Sequence, residues 1–289
     1  MPPDLIAEVL VQGVLTGLVY GLMALGLSVI FGVVRVVNFA HGEFTVLAMY
    51  AAWFLFSRLG LDPLIAAVPI ALAFFVLGYG LQRGLIAPFV RRPEHLQFIY
   101  MVGMAIVLVN ALLLVFGPDA RHADVPYAFD SWRLGPILVD KVRVFAAAGA
   151  ILICAALFAF FRYTLVGTAI RACADNLIGA EVVGLDVGRL FAIAFGIGLA
   201  CAGAAGALMV VLSDATPNLA PSFTLLAFTI VIVGGLGSMT GALAGGVLIG
   251  VAEALASIVF SPSLKSMVSF ALLVVVLALR PQGLIGRRA

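Results

Sequence analysis

The chain has 289 residues, of which 64% are hydrophobic and only 10% are charged, with a net charge of +2. Soluble domains carry about 25% charged residues, so this composition excludes an ordinary soluble protein and indicates an integral membrane protein. The apolar runs are continuous, unlike the alternating segments of about ten residues in a membrane β-barrel, and they predict several spanning helices.

Nine apolar stretches predict nine helices in chain order. They cover residues 6–34, 44–57, 63–82, 96–116, 142–161, 190–212, 223–233, 242–260 and 266–279. A span needs roughly 20 residues to cross about 30 Å of hydrocarbon, so the first stretch is expected to tilt or to continue past the membrane. The second and seventh stretches are short, which indicates broken or re-entrant helices. We therefore expect an all-α, polytopic membrane bundle of eight or nine transmembrane helices, forming one domain over residues 1–289.

Arginine residues are concentrated in three of the segments outside these stretches. These are residues 82–95, residues 162–189 and the tail that begins at Arg280. With nine helices all three lie on one side of the membrane, which the positive-inside rule assigns to the cytoplasm. The C-terminus is thus expected in the bacterial cytoplasm and the connection 117–141 outside it. The first ten residues lack the Lys or Arg of a cleaved signal peptide, so the first helix is expected to be retained.

The stretch RVVNFAHGEF, which begins at Arg35, places several polar side chains between two very apolar runs. A charge at the bilayer centre costs about 2.5–3.5 kcal/mol on insertion scales, so such groups persist where they face a cavity, pair with each other or lie at the interface. Arg35 suits an interface anchor as well as a functional role. Asn38, His41, Gly42 and Glu43 are candidates for the lining of a substrate pathway, with a structural His41–Glu43 pair as the alternative.

A second polar break is VGGLGSMTGALAGG at 233–246. It lacks the Lys of a phosphate-binding loop, and Leu236 stands where a G-x-S-x-G nucleophile elbow around Ser238 needs glycine. The segment is therefore interpreted as a flexible turn. Its candidate pathway residues are Gly235, Gly237 and Ser238. Glu253, a lone carboxylate in the eighth stretch, is a further candidate, although a neighbouring helix could equally satisfy it.

The connection 162–190 contains a short amphipathic helix, which is either a solvated connector or an element that docks into a partner's groove. Glycine and alanine recur four residues apart in several stretches, a pattern typical of close helix packing. The three histidines and three cysteines are dispersed and fit neither a catalytic nor a metal-binding spacing. The scattered basic residues give no sign of nucleic-acid binding.

Several motifs occur in the order typical of one transport family. They are GLMALGLSVIFGVVRVVNFAHGEF, RPEHLQFIYMVGMAIVLVN, GTAIRACADNLIGAEVVGLDV, VIVGGLGSMTGALAGGVLIGVAEAL and LALRPQGLIG. On these motifs the chain resembles the bacterial branched-chain amino acid ABC transporter permeases over nearly its whole length. The resemblance is closest to the shorter, LivH-type permease subunit.

The resemblance implies a non-enzymatic importer subunit in the inner membrane. Its family pairs with a second, related permease, two cytoplasmic ATPases and a periplasmic protein that delivers leucine, isoleucine or valine. ATP and Mg would be used by those partners, with no cofactor on this chain. The connection 162–189 corresponds to the segment that contacts the ATPase. The candidate coupling residues there are Arg171, Asp175, Ala180, Glu181 and Gly184. The chain departs from many relatives by having Ile178-Gly179-Ala180 where they have Glu-Ala-Ala.

Other functions stay open at this point. Permeases for urea or short-chain amides share these motifs, and a passive channel or an ion-coupled secondary carrier would also be a helical membrane protein. An intramembrane enzyme is disfavoured because the sequence shows no nucleophile or metal constellation.

Overall fold

A computed structural model describes residues 3–90, 92–135, 137–259 and 265–285 of the chain. The described part consists of helices and one short antiparallel β-hairpin. The helices are α1 Pro3–Val34, α2 His41–Leu59, α3 Pro63–Leu81, α4 Ala87–Val90, α5 Glu94–Phe116, α6 Lys141–Tyr163, α7 Leu165–Asp175, α8 Leu177–Val182, α9 Val187–Met209, α10 Ala220–Gly234, α11 Met239–Val259 and α12 Lys265–Leu279. A π-helical turn, Gln82–Ile86, joins α3 to α4, and a 3₁₀ turn, Pro217–Leu219, precedes α10. The hairpin pairs β1 Ser131–Leu134 with β2 Ile137–Asp140.

Each of the nine apolar stretches forms its own helix, namely α1, α2, α3, α5, α6, α9, α10, α11 and α12. Within the described residues, seven helical segments are long and apolar enough to cross a bilayer, and α12 is a shorter apolar helix. The polar side chains of His41 and Glu43 at its start and of Arg58 at its end lower the hydropathy of α2. The expectation of an all-α polytopic bundle with broken helices is confirmed.

Helix α1 forms the centre of the bundle and packs against both α9 and α11. Its glycines allow this contact: a Cβ at Gly17 would lie 2.7 Å from the Cα of Val247, and one at Gly13 would lie 2.9 Å from the Cα of Val251. On α9, a Cβ at Gly206 would overlap the Thr45 carbonyl of α2. The packing interpretation of the repeated small residues is therefore confirmed.

The two ends of the bundle carry different connections. At one end, called here the Tyr127 end, the Tyr127 hydroxyl donates to Asp62 at 2.6 Å, and Arg121 pairs with Ala215 through the backbone. This joins the α5–α6 connection to the α2–α3 turn and to the α9–α10 connection. At the opposite end, called the Arg35 end, α1 finishes beside the start of α5, the end of α7 and the α10–α11 connection.

The C-terminal tail folds back onto α10 at the Arg35 end. The N–H groups of Leu284 and Ile285 donate to the carbonyls of Val233 and Gly234, at 2.8 Å and 3.0 Å. These two carbonyls are among the last four of α10, which have no partner within their own helix. The LALRPQGLIG motif thus supplies the C-terminal cap of α10. Arg287 and Arg288 of the basic tail lie outside the described residues.

Helix α1 ends at a residue with an unusual backbone. Arg35 is the only non-glycine residue with positive φ in the described part of the chain, at 57°. After it, residues 35–40 turn back into the bundle, where the ring of His41 contacts the carbonyl of Met23 at 2.9 Å. Met23 lies eleven residues before the end of α1, which is about 16 Å along the helix axis. Helix α2 therefore begins deep inside the bundle.

Candidate functional site

The first turns of the two broken helices, α2 and α10, meet inside the bundle. The Gly42 N–H donates to Thr224 Oγ1 at 2.9 Å, and the Thr224 hydroxyl lies 2.8 Å from the carboxyl oxygen Oε2 of Glu43. These contacts link residues 182 and 181 positions apart in the sequence. We call this contact region, made of residues 38–43 and Thr224, the junction.

Two N–H groups at the buried start of α2 have partners that are not regular helical carbonyls. The His41 N–H donates to the Asn38 carbonyl at 3.3 Å, and the Gly42 N–H donates to Thr224 Oγ1. The Phe44 N–H makes the regular helical bond to the Ala40 carbonyl. A helix that starts in an apolar interior needs such partners because no water is present to satisfy its first four N–H groups.

Glycine is required at position 42 by the approach of α10. A Cβ there would overlap the Ala220 carbonyl oxygen and the Thr224 nitrogen. A side chain would therefore push the two helix ends apart and break the hydrogen bond from Gly42 to Thr224.

Two polar atoms of the junction are buried without a hydrogen-bond partner among the described residues. They are the amide nitrogen Nδ2 of Asn38 and the ring nitrogen Nδ1 of His41. The other atoms of both side chains are engaged: Asn38 Oδ1 accepts the Ala40 N–H at 3.1 Å, and His41 Nε2 contacts the Met23 carbonyl. His41 and Glu43 bond to different groups, so the structural alternative of a His41–Glu43 pair is wrong.

A cavity of about 730 Å³ opens at the Arg35 end, directly below the junction. Phe39 belongs to both: it lines the cavity, and its carbonyl lies 3.4 Å from the Thr224 hydroxyl. The Phe39 ring packs against Phe98 and Phe228, with ring centroids 4.7 Å and 5.0 Å apart. Two rings of this aromatic cluster, those of Phe39 and Phe98, belong to residues that line the cavity.

The second polar break, residues 233–246, contributes only some of its residues to the lining of the cavity. Gly237 lines the cavity, while Gly235 follows the last residue of α10 with φ of 109°. Ser238 accepts the Gly241 N–H at 3.0 Å and so stabilises the start of α11. Ser238 thus has a helix-capping contact rather than a place in the cavity lining.

Glu253 lies apart from the junction. Its carboxyl oxygen accepts the Ser269 hydroxyl of α12 at 2.7 Å, and the Tyr20 side chain of α1 lies close to it. The structure therefore brings Glu253 to the contact of α1, α11 and α12, and neighbouring helices satisfy it.

Sequence reasoning missed Thr224 and Phe39. A single threonine inside an apolar stretch gives no signal, because one hydroxyl in a span can bond its own helix. The one available hint is position, since Thr224 stands at the start of the short seventh stretch, where an unusual helix end was expected.

The connection 162–189 forms two helices and not one. Asn176 ends α7 and caps α8, its side chain accepting the Gly179 N–H at 2.9 Å. The sequence predicts one short amphipathic helix in this connection; the structure has two helices, because the Asn176 backbone between them is extended, with φ −147° and ψ 100°. Asp186 caps α9 through the Arg189 N–H in the same way.

The predicted coupling residues occupy distinct positions in this segment. Ala180 is buried, whereas Arg171 and Glu181 are exposed, and Asp175 lines the cavity. Gly184 has φ of 84°; its N–H donates to the Glu181 carbonyl, and the next N–H reaches the Ala180 carbonyl. This pattern is a Schellman motif, which ends α8.

Helix α8 presents an apolar surface to the outside of the bundle. Ile178, Val182 and Val183 are 74%, 80% and 75% exposed. We call these three residues the α8 patch. Contiguous exposed apolar side chains at the polar end of a membrane protein are typical of a docking surface.

The described residues contain no group of three or more His, Cys, Asp or Glu side chains that could hold a metal ion. The three cysteines are free thiols, and all three are buried.

Comparison with known proteins identifies the family. Residues 9–277 match the family described as branched-chain amino acid transport system / permease component. The high-affinity branched-chain amino acid transport system permease protein BraD of Pseudomonas aeruginosa is 31% identical over 293 residues, covering 96% of this chain and 95% of that protein. The LivH permease proteins of Salmonella typhimurium and Escherichia coli K12 are 33% and 32% identical, each covering 96% of this chain and 94% of the relative. No solved structure matches the chain.

The match extends from α1 to α12 and includes both broken helices. Together with the apolar helices, it shows a multi-pass inner-membrane protein and a component of a transport system. The chain belongs to the family of branched-chain amino acid transport system permease components, of the LivH type.

Proposed function

We propose that this chain is the membrane subunit of an ATP-driven importer for branched-chain amino acids. The observation that carries the proposal is the match of the whole bundle to relatives named for that transport, joined to a junction of two broken helices above an open cavity. Broken helices at the bundle interior are the usual site of solute passage in transporters.

The solute would pass from the Tyr127 end through the junction into the cavity. The polar groups on this path come from Asn38, His41, Glu43 and Thr224, and the backbone of Gly42, Gly235 and Gly237 lies beside it. The two unsatisfied nitrogens of Asn38 and His41 would gain hydrogen bonds when a polar solute reaches them. The Phe39 ring would have to move aside, which makes it the gate between junction and cavity.

The segment 162–189 would face the cytoplasm and dock onto an ATPase through the α8 patch. Arg171, Asp175, Ala180, Glu181 and Gly184 form or flank the docking segment. The α8 patch supports this role because it offers apolar side chains where a solvated connector would offer polar ones. The α8 patch also fits the sequence difference at this position, since Ile178 stands where many relatives have the glutamate of Glu-Ala-Ala.

Movement of the docked segment would reach the cavity directly. Helix α7 packs against α1, α6 and α9, and its last residues, Ala174 and Asp175, line the cavity. Displacement of α7 by the ATPase would therefore change the cavity wall and the end of α1 together. We expect the remaining partners to be a second related permease, a second ATPase and a periplasmic binding protein. ATP and Mg would act on the ATPases.

The test is uptake of radiolabelled leucine by membrane vesicles that contain the complete transporter. Inactivating the partner ATPases while the proton and sodium gradients are intact should stop uptake, because the proposed importer draws its energy from those subunits. Continued uptake under those conditions would identify an ion-coupled carrier or a channel instead. Radiolabelled urea, offered to the same vesicles, distinguishes an amide permease.

A further inference from the structure

We propose that the cavity at the Arg35 end is a release site that holds an amino acid as a zwitterion. The Arg35 guanidinium would bind the α-carboxylate, Glu94 would bind the α-ammonium group, and Phe31, Phe98 and Leu236 would contact the aliphatic side chain. The inference rests on the proposed function and assigns the cavity a ligand and a place in the transport cycle.

The backbone of Arg35 is constrained, but its side chain has no bonding partner among the described residues. Its backbone adopts a left-handed conformation that L-residues rarely take, at the point where α1 ends and the chain turns back. Residues with such sparsely populated backbone conformations cluster at active sites and ligand clamps. The side chain is exposed, lines the cavity and has no ion pair or hydrogen bond within the described part of the chain. The guanidinium is therefore available to a ligand.

Glu94 provides the opposite charge on the same cavity. It lies in the first turn of α5, is exposed and forms no ion pair with any described residue. The two charges line one cavity, yet no nitrogen of Arg35 comes within 4.0 Å of the Glu94 carboxylate. Because the two opposite charges line one cavity without forming an ion pair with each other, there is room between them for a molecule that carries both a positive and a negative charge.

The third charged group of the lining, Asp175, already has an electrostatic or hydrogen-bonding partner of its own. Within the described lining, one free guanidinium and one free carboxylate therefore remain. This matches the single carboxylate and single ammonium of a neutral amino acid, and it does not match urea, which carries neither charge.

The rest of the cavity suits an aliphatic side chain. Phe31, Phe98 and Leu236 form apolar walls beside the charges, and Phe39 lines the cavity where it meets the junction. The volume of about 730 Å³ lies within the range typical of small-molecule sites, roughly 300–1,000 Å³. Both charges are exposed to solvent, so the ion pairs are weak. Weak binding is what a site of release needs, since the amino acid must leave it in every cycle.

The experiment uses a diazirine analogue of leucine to photolabel the complete transporter in membranes. Labelled peptides are located by mass spectrometry. Label is expected on residues 31–37 and 94–98. Arg35→Gln and Glu94→Gln should each lower this labelling about threefold, and the double variant about tenfold, as expected for two solvent-exposed ion pairs. Arg92→Gln, a charge change at the same end but outside the cavity lining, is the matched control and should not alter the labelling.

Competition separates a charge contact from a structural effect. In the unaltered protein, leucine should displace the photolabel better than leucine methyl ester, which lacks the carboxylate, or 4-methylpentanoate, which lacks the ammonium group. In Arg35→Gln the advantage over the methyl ester should disappear, and in Glu94→Gln the advantage over 4-methylpentanoate should disappear. Arg35→Lys, which keeps the charge, should retain most of the labelling.

Photolabel that falls elsewhere while leucine uptake is intact overturns this inference and leaves the proposed function standing. Equal displacement of the label by all three competitors in the unaltered protein also overturns it, and that measurement needs no variant to fold. Absence of leucine uptake by the unaltered transporter overturns the proposed function and this inference with it.

Discussion

One hydroxyl group holds the two broken helices together. Thr224 Oγ1 accepts the Gly42 N–H and lies within hydrogen-bond distance of the Glu43 carboxyl and, more weakly, the Phe39 carbonyl. Glu43 is only 3% exposed. Loss of the Thr224 hydroxyl would therefore leave a buried N–H and a buried carboxyl group without this hydrogen-bond partner.

We predict that Thr224→Val destabilises the protein and impairs uptake. Each buried group left without a partner costs about 1–3 kcal/mol, so the free energy of unfolding should fall by roughly 2–6 kcal/mol. Thr229→Val is the control, because Thr229 lies on the same helix and its hydroxyl donates to the Leu225 carbonyl of that helix. Thermal unfolding in detergent measures both variants, and equal unfolding temperatures for the two would contradict a special role of Thr224.

The sequence alone identifies the site residues whose polar side chains occur between apolar stretches. Asn38, His41 and Glu43 stand out because each costs free energy in a membrane, so their position in the pathway could be proposed from the sequence. Their partners could not be predicted. The pairing of His41 with Met23 and of Glu43 with Thr224 depends on how the chain folds back, which no local pattern specifies.

The connection between α6 and α9 is built from capped short helices. Asn176, Gly184 and Asp186 each end or begin a helix, and together they hold the α8 patch at the Arg35 end. The amphipathic pattern in the sequence indicated a helix here, but the break at Asn176 depends on a capping hydrogen bond that competes with helix continuation.

We predict that Gly184→Arg uncouples ATP hydrolysis from leucine import. A Cβ at this position meets no atom within 4 Å, so the harm comes from the backbone: a non-glycine residue in the left-handed region costs about 1–2 kcal/mol. The end of α8 would reorganise and move the α8 patch. The measurement is the number of ATP molecules hydrolysed per leucine imported.

Gly184→Asn is the matched control for this variant, because asparagine tolerates the left-handed conformation. It should keep coupling near that of the unaltered protein. Normal coupling in Gly184→Arg would remove the end of α8 from the mechanism.

At the scale of the whole molecule, the structure places three basic segments at one end. The turn after α3, the segment 162–189 and the tail after α12 all lie at the Arg35 end, as nine alternating helices require. The order of the helices was predictable because each apolar stretch is bounded by polar connections. The contact between the starts of α2 and α10 was not predictable, because the residues that make it are separated by most of the chain.

We predict that the Arg35 end faces the cytoplasm, and cysteine labelling tests it. Ile178→Cys should react with a membrane-impermeant maleimide only in inside-out vesicles, and Phe129→Cys, at a position 95% exposed at the Tyr127 end, only in right-side-out vesicles. The native cysteines give a low background because all are buried, and burial raises the pKa of the Cys173 thiol. The reverse labelling pattern would invert the proposed topology.

The tail that caps α10 also sets an order of assembly. The carbonyls of Val233 and Gly234 receive their partners from residues 284 and 285, which leave the ribosome only after α11 and α12 have been synthesised. Until then the last turn of α10 is incomplete, next to the glycines that line the cavity. A chain truncated before residue 284 would therefore leave these two carbonyls of α10 without their hydrogen bonds.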